Sequence, residues 1–92
     1  MITFHITGHL TDFSDGLHEI KSDAVAGTTR EALDLLWQAH PGLRDRVLNE
    51  QGEMRPHVNI FVNSENVRRQ QKLETPLHDG DEVTILPSVS GG

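Results

Sequence analysis

Ninety-two residues make one small domain, with no room for a second core. Eight Lys+Arg against fourteen Asp+Glu leave a formal charge of −6, which argues against a nucleic-acid module because phosphate binding needs a clustered positive field. With zero cysteines, disulfides, thiolate metal sites and a cysteine nucleophile are excluded together.

Arg68-Arg69 with Lys72 is the one close basic cluster in the sequence, too little to line a groove for a nucleic acid. No apolar run approaches the ~20 residues of a membrane span, and no signal-peptide pattern opens the chain. The expectation is an acidic, soluble, cytoplasmic domain.

In chain order, Ile2, Phe4 and Ile6 stand two apart and predict a first strand with one buried face. Gly8 and the polar run 11–16 predict a loop. Leu17–Lys21 predicts a weaker second strand, pairing back on the first as an antiparallel hairpin. The next element is a helix with a sharp start. Thr28 caps it and Glu31, three residues on, reaches back to the cap's backbone N–H. Ala32, Leu33, Leu36 and His40 form its apolar stripe, with Leu35, Trp37 and Ala39 on the flanks. Pro41-Gly42 stops it. Leu43 and Val47-Leu48 predict one short helical turn, and 49–56 a polar loop.

Val58–Asn63 is the clearest strand, with Val58, Ile60 and Val62 inward and Asn59 and Asn63 outward. Ser64–Asn66 predicts a turn and Val67-Arg68 a short edge strand blunted by charge. Leu73 and Leu77 plug the following loop. Asp79-Gly80-Asp81 predicts a tight turn before a last strand, 82–86, with Val83 and Ile85 inward. Pro87 ends that strand. One helix across a mixed sheet, with the last strand beside the first, buries every apolar face. This is an α+β, β-grasp (ubiquitin-like) fold, with a body over residues 1–86 and a tail over 87–92.

The tail is the informative feature. Two glycines, Gly91 and Gly92, follow a strand and a short uncharged stretch. Six extended residues reach roughly 20 Å, enough to carry a terminal carboxylate into another protein's active site. Glycine has no Cβ, so its backbone threads a narrow channel. A carboxylate becomes a useful electrophile once adenylation turns its oxygen into a leaving group.

The stretch Val58-Asn59-Ile60-Phe61-Val62-Asn63, then Asn66-Val67-Arg68, Leu77, Asp79-Gly80-Asp81, Val83-Thr84-Ile85-Leu86-Pro87 and Gly91-Gly92 resembles the ubiquitin-like sulfur carriers of the MoaD, ThiS and CysO types. The resemblance is strong over 58–92 and architectural over 1–57. The Pro-Ser-Val-Ser-Gly-Gly end and the Val-Asn-Ile-Phe-Val-Asn strand are most similar to the cysteine-synthesis carrier. The resemblance implies a protein cosubstrate and not an enzyme, or the small non-catalytic subunit of a molybdopterin synthase. It implies no bound cofactor. An E1-like adenylyltransferase using ATP and magnesium would adenylate the Gly92 carboxylate, with Gly91 lining the channel. Sulfur would then replace one oxygen, and the thiocarboxylate would serve a sulfur-accepting biosynthetic enzyme. A ubiquitin-like modifier conjugated through Gly92 and a plain interaction domain are the alternatives.

Strand alternation turns Phe61 away from Ile60, onto the outer sheet face with Leu86. Phe61, Leu86 and Val89 are the candidate docking residues. Asp79, Asp81 and Glu82 are expected near the tail, steering it toward a basic partner. Six histidines invite a metal reading, but His5 and His9, four apart, straddle a strand end and Gly8, so they share no helical face. No metal site is expected, and His57 is the histidine placed to feel a partner. The Asp79–Glu82 run lacks the ligand series of a calcium loop. Trp37 reads as partial core, and the serines lack a nucleophile elbow.

Overall fold

The computed structural model describes residues 1–23 and 25–87. Strand β1 (Ile2–Ile6) is followed by a 3-10 segment (Gly8–Phe13), β2 (Glu19–Ser22), helix α1 (Thr29–Ala39), helix α2 (Pro41–Val47), β3 (Val58–Val62), β4 (Glu65–Asn66), two further 3-10 turns (Val67–Arg69 and Lys72–Glu74) and β5 (Glu82–Pro87). The five strands form one mixed sheet in the order β2-β1-β5-β3-β4. β5 runs parallel to β1 and antiparallel to β3, so the last strand enters the middle of the sheet beside the first. This is the β-grasp topology.

The alternation in the sequence sets the two faces. Ile20 stands opposite Phe4, Phe4 beside Val83, and Val83 opposite Val62, giving one row across four strands. Ile6, Ile85 and Ile60 make a second row. All of these except Ile20, which is half-buried, belong to the buried core with Ala32, Leu33, Leu36 and Trp37 of α1.

The start of α1 follows the capping logic closely. Thr28 Oγ1 accepts from the Glu31 N–H at 3.2 Å, and the Glu31 carboxylate accepts from the Thr28 N–H at 3.1 Å. A cap of this kind contributes about 1 kcal/mol. The Thr29 N–H and hydroxyl both donate to the Thr75 carbonyl at 2.9 Å, tying the helix start to the loop that carries Leu73 and Leu77. Both leucines are buried plugs, as expected.

Several elements depart from the sequence expectations. The polar stretch after β1 is not a plain loop. Leu10 is buried at 1% exposure and Phe13 packs against the core, so the segment coils into 3-10 turns to seat them. β2 starts at Glu19, and Leu17 is 46% exposed. His40 belongs to no stripe: it caps the end of α1, its Nδ1 3.5 Å from Asp15. Pro41 opens α2 as its first-turn residue, where a missing N–H costs nothing. That helix has seven residues, longer than one turn. The edge strand is Glu65–Asn66 and not Val67-Arg68. Asn63 adopts φ +56°, so the chain reverses over Asn63-Ser64 and pairs Glu65 directly with Val62. Val67 then turns fully inward in a 3-10 turn capped by the Asn66 side chain. Pro87 does not stop β5 short but is its last residue, opposite Val58.

Candidate functional site

The site is built around the end of β5 at Pro87, the last described residue of the chain. Three contacts fix that end. Pro87 is paired with Val58 across β3. The Thr7 hydroxyl donates to the Ile85 carbonyl at 3.0 Å, clamping the end of β1 to β5. Gly8, at φ +61°, lies so close that a Cβ there would sit 3.1 Å from Pro87 Cγ. The backbone angle favours glycine, and a Cβ here would need the Pro87 ring to give by a few tenths of an ångström. The start of β3 is held from the other side, since the Arg68 guanidinium donates to the carbonyls of Arg55 and Val58 at 2.6 Å each.

Beside the exit lies an open groove of about 540 Å3, lined by His9, Leu10, Asp45, Arg46, Arg55, His57 and their neighbours up to Pro87. Its polar character comes mainly from arginine and histidine. Arg46 stacks over the Phe13 ring, 4.4 Å from the centroid, a geometry that orients the cation without neutralising it. Arg55 Nε donates to the Asp45 carbonyl at 2.7 Å. The Asp45 carboxylate is answered by Arg44 at 3.4 Å. His57 is exposed in this groove, where a partner gripping the tail would meet it.

The outer sheet face carries the expected aromatic. Phe61 stands opposite Thr84 and next to Asn66, and Leu86 opposite Asn59, so both point away from the core. Each is half-buried, flanked by the polar residues Thr84 and Asn59 and by the His5–Glu82 pair, whose Nε2 and Oε1 atoms are 2.6 Å apart. Phe61 and Leu86 therefore share a face with each other, but Leu86 is nearer the exit. The remaining expected site residues, Val89, Gly91 and Gly92, lie outside the described residues.

One placement is corrected. Asp79, Asp81 and Glu82 are not beside Pro87, the first residue of the tail. They precede or begin β5, and the five steps along that six-residue strand, at ~3.3 Å each, put its two ends about 16–17 Å apart. Proximity in sequence is misleading here because an extended strand lies between. These acids serve local structure: Asp79 pairs with the Met1 amino group, Asp81 accepts from Asn63 Nδ2 at 3.1 Å and from the His78 N–H at 2.9 Å, and Glu82 pairs with His5. The Asp79-Gly80-Asp81 turn itself is as expected, with Gly80 at φ +92°. Among the described residues no cluster of three metal-ligating side chains occurs, and no helix is long and apolar enough to cross a membrane.

Sequence reasoning missed Gly8, Arg46 and Arg55 as exit residues. Gly8 directly after a strand was a legible signal. The arginines were not, because Arg46 and Arg55 are nine positions apart and the fold alone brings them to one groove.

Comparison with known proteins gives this geometry its context. The ThiS family profile matches residues 5–92, through both terminal glycines. The sulfur carrier protein CysO of Mycobacterium tuberculosis is 40% identical over 75 residues, covering 78% of this chain and 81% of that protein. Small archaeal modifier protein 1 of Haloferax volcanii is 36% identical over 74 residues, covering 80% of this chain and 77% of that one. Among solved structures, a chain of the Amycolatopsis orientalis BexX/CysO complex superposes with a TM-score of 0.89 at 33% identity, covering the whole of both chains. The chain that ends in Gly91-Gly92 and carries this β-grasp body is thus a member of the ThiS family, homologous to sulfur carrier proteins.

Proposed function

We propose that the protein is a sulfur carrier whose Gly92 carboxylate is activated and converted to a thiocarboxylate by partner enzymes. The observation that carries this reading is the family match running to residue 92, so that Gly91-Gly92 falls inside the matched region. The geometry at the end of β5 supports it: Val58 pairs with Pro87, Gly8 lies against the Pro87 ring and the Thr7 hydroxyl ties Ile85 to the end of β1, which gives the tail a defined origin.

The chemistry belongs to the partners. A Gly92 carboxylate oxygen attacks the α-phosphorus of ATP, supplied with magnesium by an E1-like adenylyltransferase, and pyrophosphate leaves. The resulting acyl adenylate is attacked at carbon by a sulfur nucleophile and AMP leaves. Attack by hydrosulfide gives the thiocarboxylate directly. Attack by a donor's persulfide gives an acyl disulfide, which a donor thiol cleaves to the thiocarboxylate while a disulfide forms on the donor. A sulfur-accepting enzyme of cysteine, molybdopterin or related biosynthesis consumes the product. This chain contributes a positioned tail, the bare Gly91 that passes a narrow channel, and an outer-face patch, Phe61 and Leu86 with Val89, for docking. The carrier itself performs no catalysis.

A second reading is favoured by one observation, the similarity to a small archaeal modifier protein. In it the same acyl adenylate is passed to a lysine amine and Gly92 ends in an isopeptide bond. ATP–pyrophosphate exchange with the host's E1-like enzyme tests the step common to both. The intact chain supports exchange, and removal of Gly92 abolishes it, since the carboxylate retreats by about 3.5 Å from the α-phosphate. Equal exchange by both forms contradicts both readings.

A further inference from the structure

The groove at the β5 exit holds more positive charge than the fold uses. Arg46 and Arg55 are both exposed, and among the described residues neither has a carboxylate partner. The one carboxylate in the groove, Asp45, is already matched by Arg44. Elsewhere the opposite arrangement holds. At the far end of β5, Asp79, Asp81 and Glu82 are each engaged by the amino terminus, by Asn63 and His78, or by His5. A chain of net charge −6 thus presents two uncompensated cations beside the point where its tail departs.

We propose that this groove docks against an acidic rim, a protein surface bearing Asp or Glu side chains, at the mouth of the channel that receives the tail. The inference rests on the reading that the tail enters an activating enzyme. The argument is geometric and then electrostatic. Pro87 lines the same groove as Arg46 and Arg55, so a surface that receives the residues following it meets these arginines in that groove. Covering a guanidinium without an anionic partner is costly, whereas an Arg–carboxylate pair gains a charge-assisted, often bidentate, contact. The chain's overall negative field does not cancel this, because charges beyond ~8–10 Å are largely screened at physiological salt. Leu10, Val58 and Pro87 supply an apolar floor between the arginines, as in interfaces that combine a dry centre with a charged rim. The partner surface here is acidic, the reverse of what Asp79, Asp81 and Glu82 would select if they lay beside the tail.

The test measures ATP–pyrophosphate exchange and association kinetics of the full chain with the host's E1-like adenylyltransferase across a salt series. Arg46→Glu/Arg55→Glu is compared with the unaltered chain and with Asp79→Lys at the far end. The expected result is a rise of about tenfold or more in KM for the double variant. A fall in association rate with rising salt is expected for the unaltered chain and is expected to disappear or reverse in that variant. Asp79→Lys leaves both within about twofold. Arg46→Gln/Arg55→Gln, which adds no charge, is expected to show the same loss to a lesser degree and serves if the reversal disturbs folding. Exchange by the unaltered chain with unchanged KM and salt dependence in both double variants overturns the docking proposal alone. Absence of exchange by the unaltered chain overturns the carrier reading and this proposal with it. Tight binding of inorganic phosphate alone to Arg46 and Arg55, followed by NMR, would make the groove a small-anion site and also overturn it.

Discussion

Ile60 and Phe61 are consecutive residues of β3, yet Ile60 has no exposed surface while Phe61 stays half open on the opposite face. The same division runs through the molecule. The inner face joins α1, α2 and the 72–77 loop into one apolar core. The outer face and the end of β5 hold polar rows, Phe61 and two arginines that have no carboxylate partner among the described residues. On the proposed function, stability and recognition fall on different surfaces of one sheet. A carrier benefits from that separation, because the recognising side can vary without loosening the body that fixes the tail.

Breaking the inner side is expected to have the largest effect on stability. Ile60→Ala removes a fully buried side chain from the central row with Ile6 and Ile85 and costs about 2–5 kcal/mol, read as a shift in denaturant midpoint. A loss well under ~1 kcal/mol would mean that the inner face is not the stabilising one. Gly8→Ala probes the seam between the two regions. Its φ of +61° and 3.1 Å approach to Pro87 predict a loss of about 1–3 kcal/mol, together with poorer activation, because the tail's origin shifts. A variant as stable and as active as the unaltered chain would remove Gly8 from the exit.

Phe61→Ala sharpens the comparison from the outer side. Stability falls by about 1 kcal/mol or less, while affinity for the activating enzyme falls by about 1–2 kcal/mol, measured by calorimetry. A large drop in denaturant midpoint with unchanged affinity would move Phe61 to the structural side. The smallest effect is expected at the far end. Asp79 is 87% exposed and pairs with the amino terminus of Met1, itself 51% exposed, so Asp79→Asn changes stability by no more than about 0.5 kcal/mol.

The body was legible where local rules act alone. Strict alternation in 2–6, 58–62 and 82–86 gave three strands and their inner faces, and Thr28 with Glu31 gave the start of α1 to the residue. Legibility failed where tertiary packing overrode local polarity. Leu10 and Phe13, three apart within a polar stretch, pulled 8–13 into 3-10 turns. The left-handed Asn63 advanced β4 by two residues, an adjustment that nothing in Asn-Ser demands. Leu86 and Phe61 were placed on the outer face correctly because a strand's period is two. The acids were misplaced for a related reason: a strand separates residues that are near in sequence by almost its full length. Charge at the exit was invisible for the converse reason, since Arg46 and Arg55 come from the end of α2 and the following loop.

Intact-mass spectrometry of the protein incubated with its host's E1-like enzyme, ATP, magnesium and a sulfur donor tests the central claim most directly. The account predicts a gain equal to the mass of sulfur minus that of oxygen, lodged in the C-terminal peptide at Gly92 and missing when Gly92 is removed. No gain of sulfur despite adenylation, with Gly92 instead joined by an amide to lysines of the proteins present, would contradict it in favour of the modifier reading.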